Sequence, residues 1–351
     1  MIELGVKLRD LIKPVAKKIT LKNLTSKKIA IDAFNSLYQF LSTIRQPDGK
    51  SLKDYKGNVT SHLSGLYYRT LNLIESDLRP IYVFDGPPHE LKLNTIKERR
   101  EKREQARINM EQAQDDLDDA DAKKFAQATS RLTSPMIEES KELLKYMGIP
   151  WIEAVHDGEG EAARLINNRS VWASASQDYD SLLFGAKKLI RNLNINRKRK
   201  VKNRVVEVDI EFFSCEKVLE YLNITQNQLV DIGILVGTDF YKGIFGVGEK
   251  TALNLIKKHG SIEQIIKEKV EIHKIPIEID EDLLSRVREI FSNVKAPEEK
   301  IKLKWTSPNE AGIRELLQEK HNFSKQRIDS SIKRLLGKKS GKIQTSLDKF
   351  F

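Results

Sequence analysis

The sequence predicts an α/β fold built on a mostly parallel central sheet, and three observations carry the prediction. Short apolar, β-branched runs occur at 28–31 (Lys-Ile-Ala-Ile), 81–84 (Ile-Tyr-Val-Phe) and 171–173 (Val-Trp-Ala), separated by longer stretches of helical pattern. Each run is followed by an acid: Asp32, Asp85 and Asp178. A further apolar segment at 232–236, read as helical, leads into Gly237, Thr238 and Asp239. Ligands of parallel sheets gather beyond the carboxyl ends of the strands, so these acids are expected at one edge.

A single Asp after a strand is ordinary, because Asp starts turns and caps helices. Two carboxylate pairs change the reading. Glu159/Glu161 and Asp178/Asp180 lie in 157–185, with small residues around them and the 171–173 run between. Acids this crowded are costly unless a cation neutralises them. Asp32, Asp85 and Asp239 then bring the set to seven carboxylates, and oxygen-only donors point to magnesium or manganese rather than zinc. Asp157, at the head of the stretch, reads as a turn or helix-cap residue.

The segment 86–135 has a different character. After Gly86, Pro87 and Pro88 come eight consecutive charges from Lys97 to Glu104, then an acidic patch with Asp115, Asp116, Asp118, Asp119 and Asp121. The composition forms helix with little apolar surface to bury, and a solvated helix is the preferred reading of the patch. Lys92 and Arg99 stand seven apart, two turns along one helical face, where they could grip a phosphate beside a metal site. The basic run at 191–209, with Arg197, Lys198, Arg199, Lys200, Lys202 and Arg204, reads as a hairpin or loop. Both a solvated edge and a contact to nucleic-acid backbone remain open for it. Gly243, Gly246 and Gly248 precede a helix predicted over 249–259. That pattern, with Lys250 at the helix start, suits a clamp on duplex phosphates of the helix-hairpin-helix type, although glycine-rich turns are common. At the end, 337–342 has linker composition. Beyond it Gln344, Leu347 and Phe350/Phe351 project together at helical spacing, as expected of a partner-docking peptide.

Bulk properties bound the function without choosing it. The 351 residues carry a formal net charge of +11, which favours a polyanionic partner, nucleic acid first and anionic membrane second. The apolar runs fall far short of a membrane span, and no signal peptide is expected before the first fold-like segment. The single cysteine, Cys215, excludes an internal disulfide, fits a reducing compartment, and reads as a buried free thiol.

With these residues laid out, the chain resembles the flap endonucleases of the structure-specific 5′-nuclease family, of the archaeal type. The resemblance extends over nearly the whole length and rests on seven segments in order: IAIDAFNSLYQFLSTIRQ (29–46), TSHLSGLYYRT (60–70), IYVFDGPP (81–88), EGEAA (159–163), ASASQDYDSLLFG (173–185), ILVGTD (234–239) and GIFGVGEK (243–250). It implies a PIN-like 5′-nuclease fold with a helical arch at about 86–135 and a helix-hairpin-helix type DNA clamp at about 231–260. The nuclease domain would span 1–336, and a flexible tail 337–351 would carry a sliding-clamp-binding peptide at 344–351. It also implies that Asp32, Asp85, Glu159, Glu161, Asp178, Asp180 and Asp239 hold two Mg²⁺ ions, with Mn²⁺ able to substitute, and that Lys92 and Arg99 are catalytic.

Tyr38, Arg45, Thr60, Ser61, Gly243, Gly246, Gly248, Lys250 and Arg327 would contact DNA. Gln344, Leu347, Phe350 and Phe351 would bind a sliding clamp of the proliferating cell nuclear antigen type. The implied activity is cleavage of 5′ flaps near the single-strand/duplex junction, with 5′-3′ exonuclease activity, in Okazaki fragment maturation and repair. Nicked or gapped duplex would also bind, no membrane is involved, and the location would be cytoplasmic (nuclear in a eukaryote). A sibling 5′ exonuclease, a bubble-cutting repair nuclease, a related RNA-processing nuclease and a non-catalytic junction-binding clamp partner stay as alternatives. One departure is the start, Met1-Ile2-Glu3-Leu4-Gly5, where the family commonly begins Met-Gly.

Overall fold

The computed structural model describes residues 5–46, 49–112, 131–194, 198–201, 204–296 and 303–347. In chain order the strands are β1 (Lys17–Ile19), β2 (Lys28–Asp32), β3 (Arg79–Phe84), β4 (Trp151–Glu153), β5 (Ala173–Ala175), β6 (Lys188–Arg191), β7 (Lys198–Val201), β8 (Arg204–Glu207), β9 (Ile210–Ser214), β10 (Glu271–Ile272) and β11 (Ile275–Pro276). Seven of them form one sheet in the order β1-β9-β6-β5-β2-β3-β4. β2 pairs parallel with β3 and β5 with β6, while β9 runs antiparallel between β6 and β1. The expected α/β class with a mostly parallel sheet is therefore present.

Two of the expected strands fall where the apolar runs placed them. In β2, Ile29, Ala30 and Ile31 are all buried, and in β3 so are Ile81 to Phe84. Strands covered on both faces read as continuous apolar runs instead of alternating ones. Their register sets Asp32 opposite Val83, so Asp32 stands at the carboxyl end of its strand. The third strand is displaced. It is Ala173–Ala175, not 171–173. Val171 instead closes the end of the preceding helix, its N–H donating to Leu165 O at 3.1 Å, and Trp172 stacks on Phe212 with centroids 5.5 Å apart. The larger apolar side chains pack beside the strand, and the strand itself is made of small residues.

The chain divides into two compact units. The first comprises Met1–Thr20, Asp85–Arg99 and Glu153–Glu298. It holds β1, β5, β6 and β9 and the helices Gly158–Asn167, Cys215–Leu222, Gln226–Val236, Glu249–His259 and Glu281–Ser292. Helix Gln226–Val236 starts with a complete capping box between Thr225 and Gln228. Gly233 lets it approach Leu183, whose Cδ1 would lie 2.8 Å from any added Cβ. Cys215 is buried, and burial pushes its thiol up to about 11, in keeping with an inert buried thiol. The basic run at 191–209 does form a hairpin, with Lys198 opposite Glu207 and Val201 opposite Arg204.

The second unit comprises Leu21–Phe84, Arg100–Ile152 and Glu299–Phe351. Around β2 and β3 it packs the helices Ala33–Thr43, Ser61–Glu75 and Ser134–Tyr146. Gly65 is where Phe40 passes, the ring Cγ being 2.2 Å from a hypothetical Cβ, so no larger residue fits. The last helix runs Lys325–Leu347. Its backbone is therefore helical through 337–342, where linker composition had suggested a break; 348–351 lie outside the described residues. In the segment 86–135, helix Leu93–Gln112 has Lys97, Glu98, Arg100 and Glu101 exposed, as expected of a solvated helix. The acidic patch at 115–121 lies outside the described residues.

A buried ionic brace ties this unit together. His321 Nδ1 lies 3.0 Å from Asp54 Oδ2 and its Nε2 lies 3.0 Å from Glu139 Oε1. Lys320 also reaches Glu139, at 3.0 Å, and the buried His62 lies 3.5 Å from it. Burial alone would lower the His321 pKa, but the bonds to Glu139 and Asp54 outweigh burial and raise it. A raised folded-state pKa stabilises fully below the ordinary histidine value, and the gain is lost as pH rises through the folded value. Thermal melts should therefore show His321→Gln losing more stability at about pH 6 than at about pH 9; a loss independent of pH would exclude an ionic role for the imidazole.

Candidate metal centre

Four segments of the first unit deliver acids to one place. The first is the connection leaving β3. Asp85 is half-buried and accepts the Gly158 N–H at 2.7 Å, at the start of helix Gly158–Asn167. Gly86 donates to His156 O at 2.7 Å, and the His156 ring meets Pro87 O at 3.0 Å. A Cβ at Gly86 would lie 2.1 Å from Ala154 O, so only glycine permits this approach. His89 then caps a short 3-10 turn, Glu90–Lys92, by accepting the Leu91 N–H.

Lys92 closes that turn, and helix Leu93–Gln112 begins only after it. The expectation that Lys92 and Arg99 share a helical face is corrected to this extent. The Lys92 ammonium bonds to Asp157 and lies 3.3 Å from Asp239 Oδ2 and 5.8 Å from the centre of the Phe240 ring. Burial alone would lower its pKa; Asp157, Asp85 and Asp239 outweigh burial and raise it. The Arg99 side chain lies outside the described residues.

The two glutamates of helix Gly158–Asn167 do not act as a pair. Residues two apart on a helix face different ways. Glu159 accepts the Ser176 hydroxyl at 3.1 Å, whereas the buried Glu161 takes a two-pronged bond from Arg164, at 2.8 and 2.6 Å. Asp157 occupies the N-cap position of this helix but makes no side-chain cap bond, its carboxylate going to Lys92. Its reading as a cap is thus corrected: it belongs to the site.

Beyond β5, the Asp178 N–H donates to Ser176 Oγ at 3.2 Å, and Asp180 is buried at the start of a four-residue helix. The amino-terminal segment comes in against these acids. Val6 N–H donates to Asp180 Oδ1 at 2.7 Å, and Gly5, at φ +94°, leaves 2.9 Å between that oxygen and any Cβ. Any larger residue at Gly5 would be both strained and blocked. Asp239 follows helix Gln226–Val236 through Gly237, at φ +111°.

Burial, and next the charge of Asp239, push the Asp180 carboxyl up to about 7; burial likewise raises Asp85. Asp85, Asp157, Asp180 and Asp239 thus crowd a single ammonium. Within the first unit Glu159 and Asp178 each place a carboxylate oxygen within 4.8 Å of the other, while in the second unit Asp32 Oδ1 caps its own helix by accepting Asn35 N–H at 2.9 Å. Excess negative charge, only partly compensated, and convergent oxygens fit a divalent cation with oxygen preference.

The residues assigned to DNA by resemblance divide sharply. Tyr38 is half-buried on helix Ala33–Thr43, Arg327 is exposed, and Lys250 is exposed at the start of helix Glu249–His259. Gly243 and Gly246 take φ of +78° and +80° in the turn before that helix, and Gly248 is its N-cap with open space around it. Arg45 spends Nε on Ser42 O and Nη1 on Gly49 O, holding its own loop. Thr60 and Ser61 are buried. The Ser61 hydroxyl donates to Ile44 O at 2.7 Å and accepts the Leu52 N–H at 3.1 Å, so the structure gives it a bracing role in place of an exposed one. Of the tail, Gln344 and Leu347 lie on the last helix with side chains outside the described set, as are Phe350 and Phe351 altogether. The sequence reading missed the contributions of Gly5, Val6 and Asp157, which depend on pairings 65 to 174 residues apart.

Known proteins are similar to this chain over almost its whole length. The XPG N-terminal domain matches residues 4–106 and the XPG I-region residues 148–239. Flap endonuclease 1 of Methanobrevibacter smithii is 46% identical over 348 residues, covering 99% of this chain and all of that protein. That of Saccharolobus solfataricus is 46% identical over 353 residues, covering 98% and 99%. The solved flap endonuclease-1 from Methanococcus jannaschii superposes with a TM-score of 0.75 at 36% identity, over 96% of this chain and 100% of that one. The Rad2 catalytic core, solved in complex with DNA substrate, shares the fold at 24% identity, with a TM-score of 0.72 over 94% and 99%. The fold is that of an XPG-type nuclease, and the chain belongs to the flap endonuclease 1 family.

An acid whose pKa is raised by folding costs stability above its ordinary value, so the metal-free protein should lose stability as pH climbs from about 4 to about 7. A saturating divalent cation should add more to the melting temperature at about pH 8 than at about pH 5, and Asp180→Asn in EDTA should flatten the pH slope. Identical melts with and without cation at both pH values would contradict a metal centre here.

Proposed function

We propose that the chain is a structure-specific DNA nuclease that cuts 5′ flaps near the junction with duplex, with 5′-3′ exonuclease activity, and serves Okazaki fragment maturation and repair. The observation that carries this reading is the gathering of Asp85, Glu159, Asp178, Asp180 and Asp239 within the first unit of a chain nearly half identical, end to end, to flap endonuclease 1 proteins. Mg²⁺, replaceable by Mn²⁺, is the cofactor the oxygen-only donors suit, with Asp32, Asp85, Glu159, Glu161, Asp178, Asp180 and Asp239 as its holders, directly or through water. When bound there, a pair of such ions supplies a deprotonated water and charge stabilisation for the leaving oxygen.

The chain's own residues do the rest. Lys92 presents an ammonium at the rim of the acids and Arg99 follows on the arch helix, so both can offset charge on the scissile phosphate. The turn from Gly243 to Gly248 exposes the N-terminus of helix Glu249–His259 with Lys250 beside it, a suitable grip on duplex phosphates. Backbone charge provides most of the affinity, which should fall steeply with salt. The substrate is selected by shape, with Tyr38 beside the cut and Arg327 on an exposed helix. Gln344, Leu347, Phe350 and Phe351 form the sliding-clamp peptide, and the enzyme works in the cytoplasm.

End-labelled 5′-flap duplex, tested beside single-stranded and nicked DNA, should be cut with Mg²⁺ and left intact with chelator. Equal cutting of single strands would refute flap specificity. Asp178→Asn should retain flap binding while cutting falls by about 10²-fold or more; normal cutting would remove Asp178 from the site. Deletion of 344–351 should leave cutting of free flaps unchanged and abolish stimulation by the sliding clamp, whereas lost basal cutting would show that the tail packs on the body.

A further inference from the structure

Asp157 is absent from the acids the resemblance assigns to metal, yet it is the acid most closely engaged with Lys92. The pair is partly buried, at 17% side-chain exposure for the lysine and 11% for the aspartate. A helix-capping role does not account for it. Asp157 makes no cap bond, and the first free N–H of the helix, that of Gly158, is taken by Asp85.

The surroundings show what the contact completes. The segment 85–92 is stitched to 154–158 by Gly86 N–H to His156 O, the His156 ring to Pro87 O, and Gly158 N–H to Asp85. These three fix the backbones of the two segments against each other. The Lys92–Asp157 bond is the last stitch, and the one formed between two charged side chains. It ends at the lysine from which helix Leu93–Gln112 departs.

We propose that Asp157 is a positioning residue for Lys92, fixing the ammonium at the rim of the acid cluster beside Asp239, so that the charge is already seated when a phosphodiester enters. The proposal rests on the reading of the site as a phosphodiesterase. Lysine has a flexible stem and would otherwise sample many rotamers. Asp239 also holds it, at 3.3 Å, but Asp239 is assigned to the cation and would share its charge once an ion is bound. Asp157 has no such second duty. It keeps the lysine in place in the cation-free and the cation-bound protein alike, with the Phe240 ring under the ammonium as a third wall.

The test is a double-mutant cycle of wild type, Asp157→Asn, Lys92→Met and the double variant, read two ways. In single-turnover cleavage of a 5′-flap duplex, Asp157→Asn should lower the rate about 10–100-fold with unchanged flap affinity, the usual cost of losing a partner that orients an active-site group. It should add nothing in the Lys92→Met background, and Asp157→Glu should recover part of the rate by restoring the charge. In thermal melts in EDTA, the two single substitutions should likewise be non-additive. A rate unaffected by Asp157→Asn, or an equal fall with and without Lys92, overturns the proposal. Should the wild-type chain cut no flap, the nuclease reading falls; the EDTA melts then decide on the pair, additivity disproving it.

Discussion

Like charges held close together in a buried place dominate this molecule. Burial is the leading cause that raises Asp180 to about 7 and raises Asp85 too, and the charges of Asp157 and Asp239 add to it in both. Left alone, such a cluster would open or take up protons. The local structure holds it shut through backbone donors. Gly158 N–H stabilises Asp85, Val6 N–H stabilises Asp180, and the Ser176 hydroxyl holds Glu159. Glycines stand where those donors must come close: Gly5 against Asp180, and Gly86 against Ala154. Lys92 is the cation that the described residues bring in among these acids, and its raised pKa keeps it charged throughout.

Asp32, Asp85 and Asp239 stood out in the sequence because each ends or closely follows a recognisable apolar segment, and ligands of parallel sheets gather beyond such ends. What the sequence did not carry was the sorting among them. Spacing made Glu159 and Glu161 look like a pair, but a helix turns residues two apart to different sides, so one reaches Ser176 and the other Arg164. Asp157 looked like a cap from its place before a helix, and its true partner is 65 residues away. The 171–173 run was taken for a strand because apolar bulk was the signal, whereas the strand is Ala-Ser-Ala and the bulk packs beside it. Local pattern locates an element; it does not say which long-range partner a polar side chain will find.

The same distinction applies to the residues that a resemblance assigns to DNA. Ser61 is fully buried with both directions of its hydroxyl occupied, and Arg45 bonds two carbonyls of its own loop. Buried polar groups with satisfied bonds fix backbone geometry, since breaking them strands a partner away from water. Ser61 therefore ties Ile44 to Leu52, and the His321–Asp54 bond anchors the turn that follows, in which Asp54 Oδ1 also accepts the N–H groups of Lys56 and Asn58. Any surface this loop offers to DNA is formed by its exposed members and held in shape by its buried ones.

Charge at two length scales makes the cation integral to the proposed chemistry. The whole chain is basic, at +11, so a polyanion is drawn toward it from a distance of about a Debye length, near 10 Å at moderate salt. At the centre the sign reverses, because four crowded carboxylates outnumber one ammonium. A phosphate attracted by the outer field would be repelled at the acids, most strongly above the titration of Asp180, unless that charge is cancelled. One lysine cannot cancel it, since Asp157 and Asp239 already engage it. Divalent cations can, and they do so at the place where a phosphodiester must come to be cut. The protein's net charge thus recruits the polyanion, while its site makes the approach of the last phosphate conditional on metal. Substitutions that remove an acid would relieve the repulsion and lose the metal together, which is why binding should persist where cutting is lost.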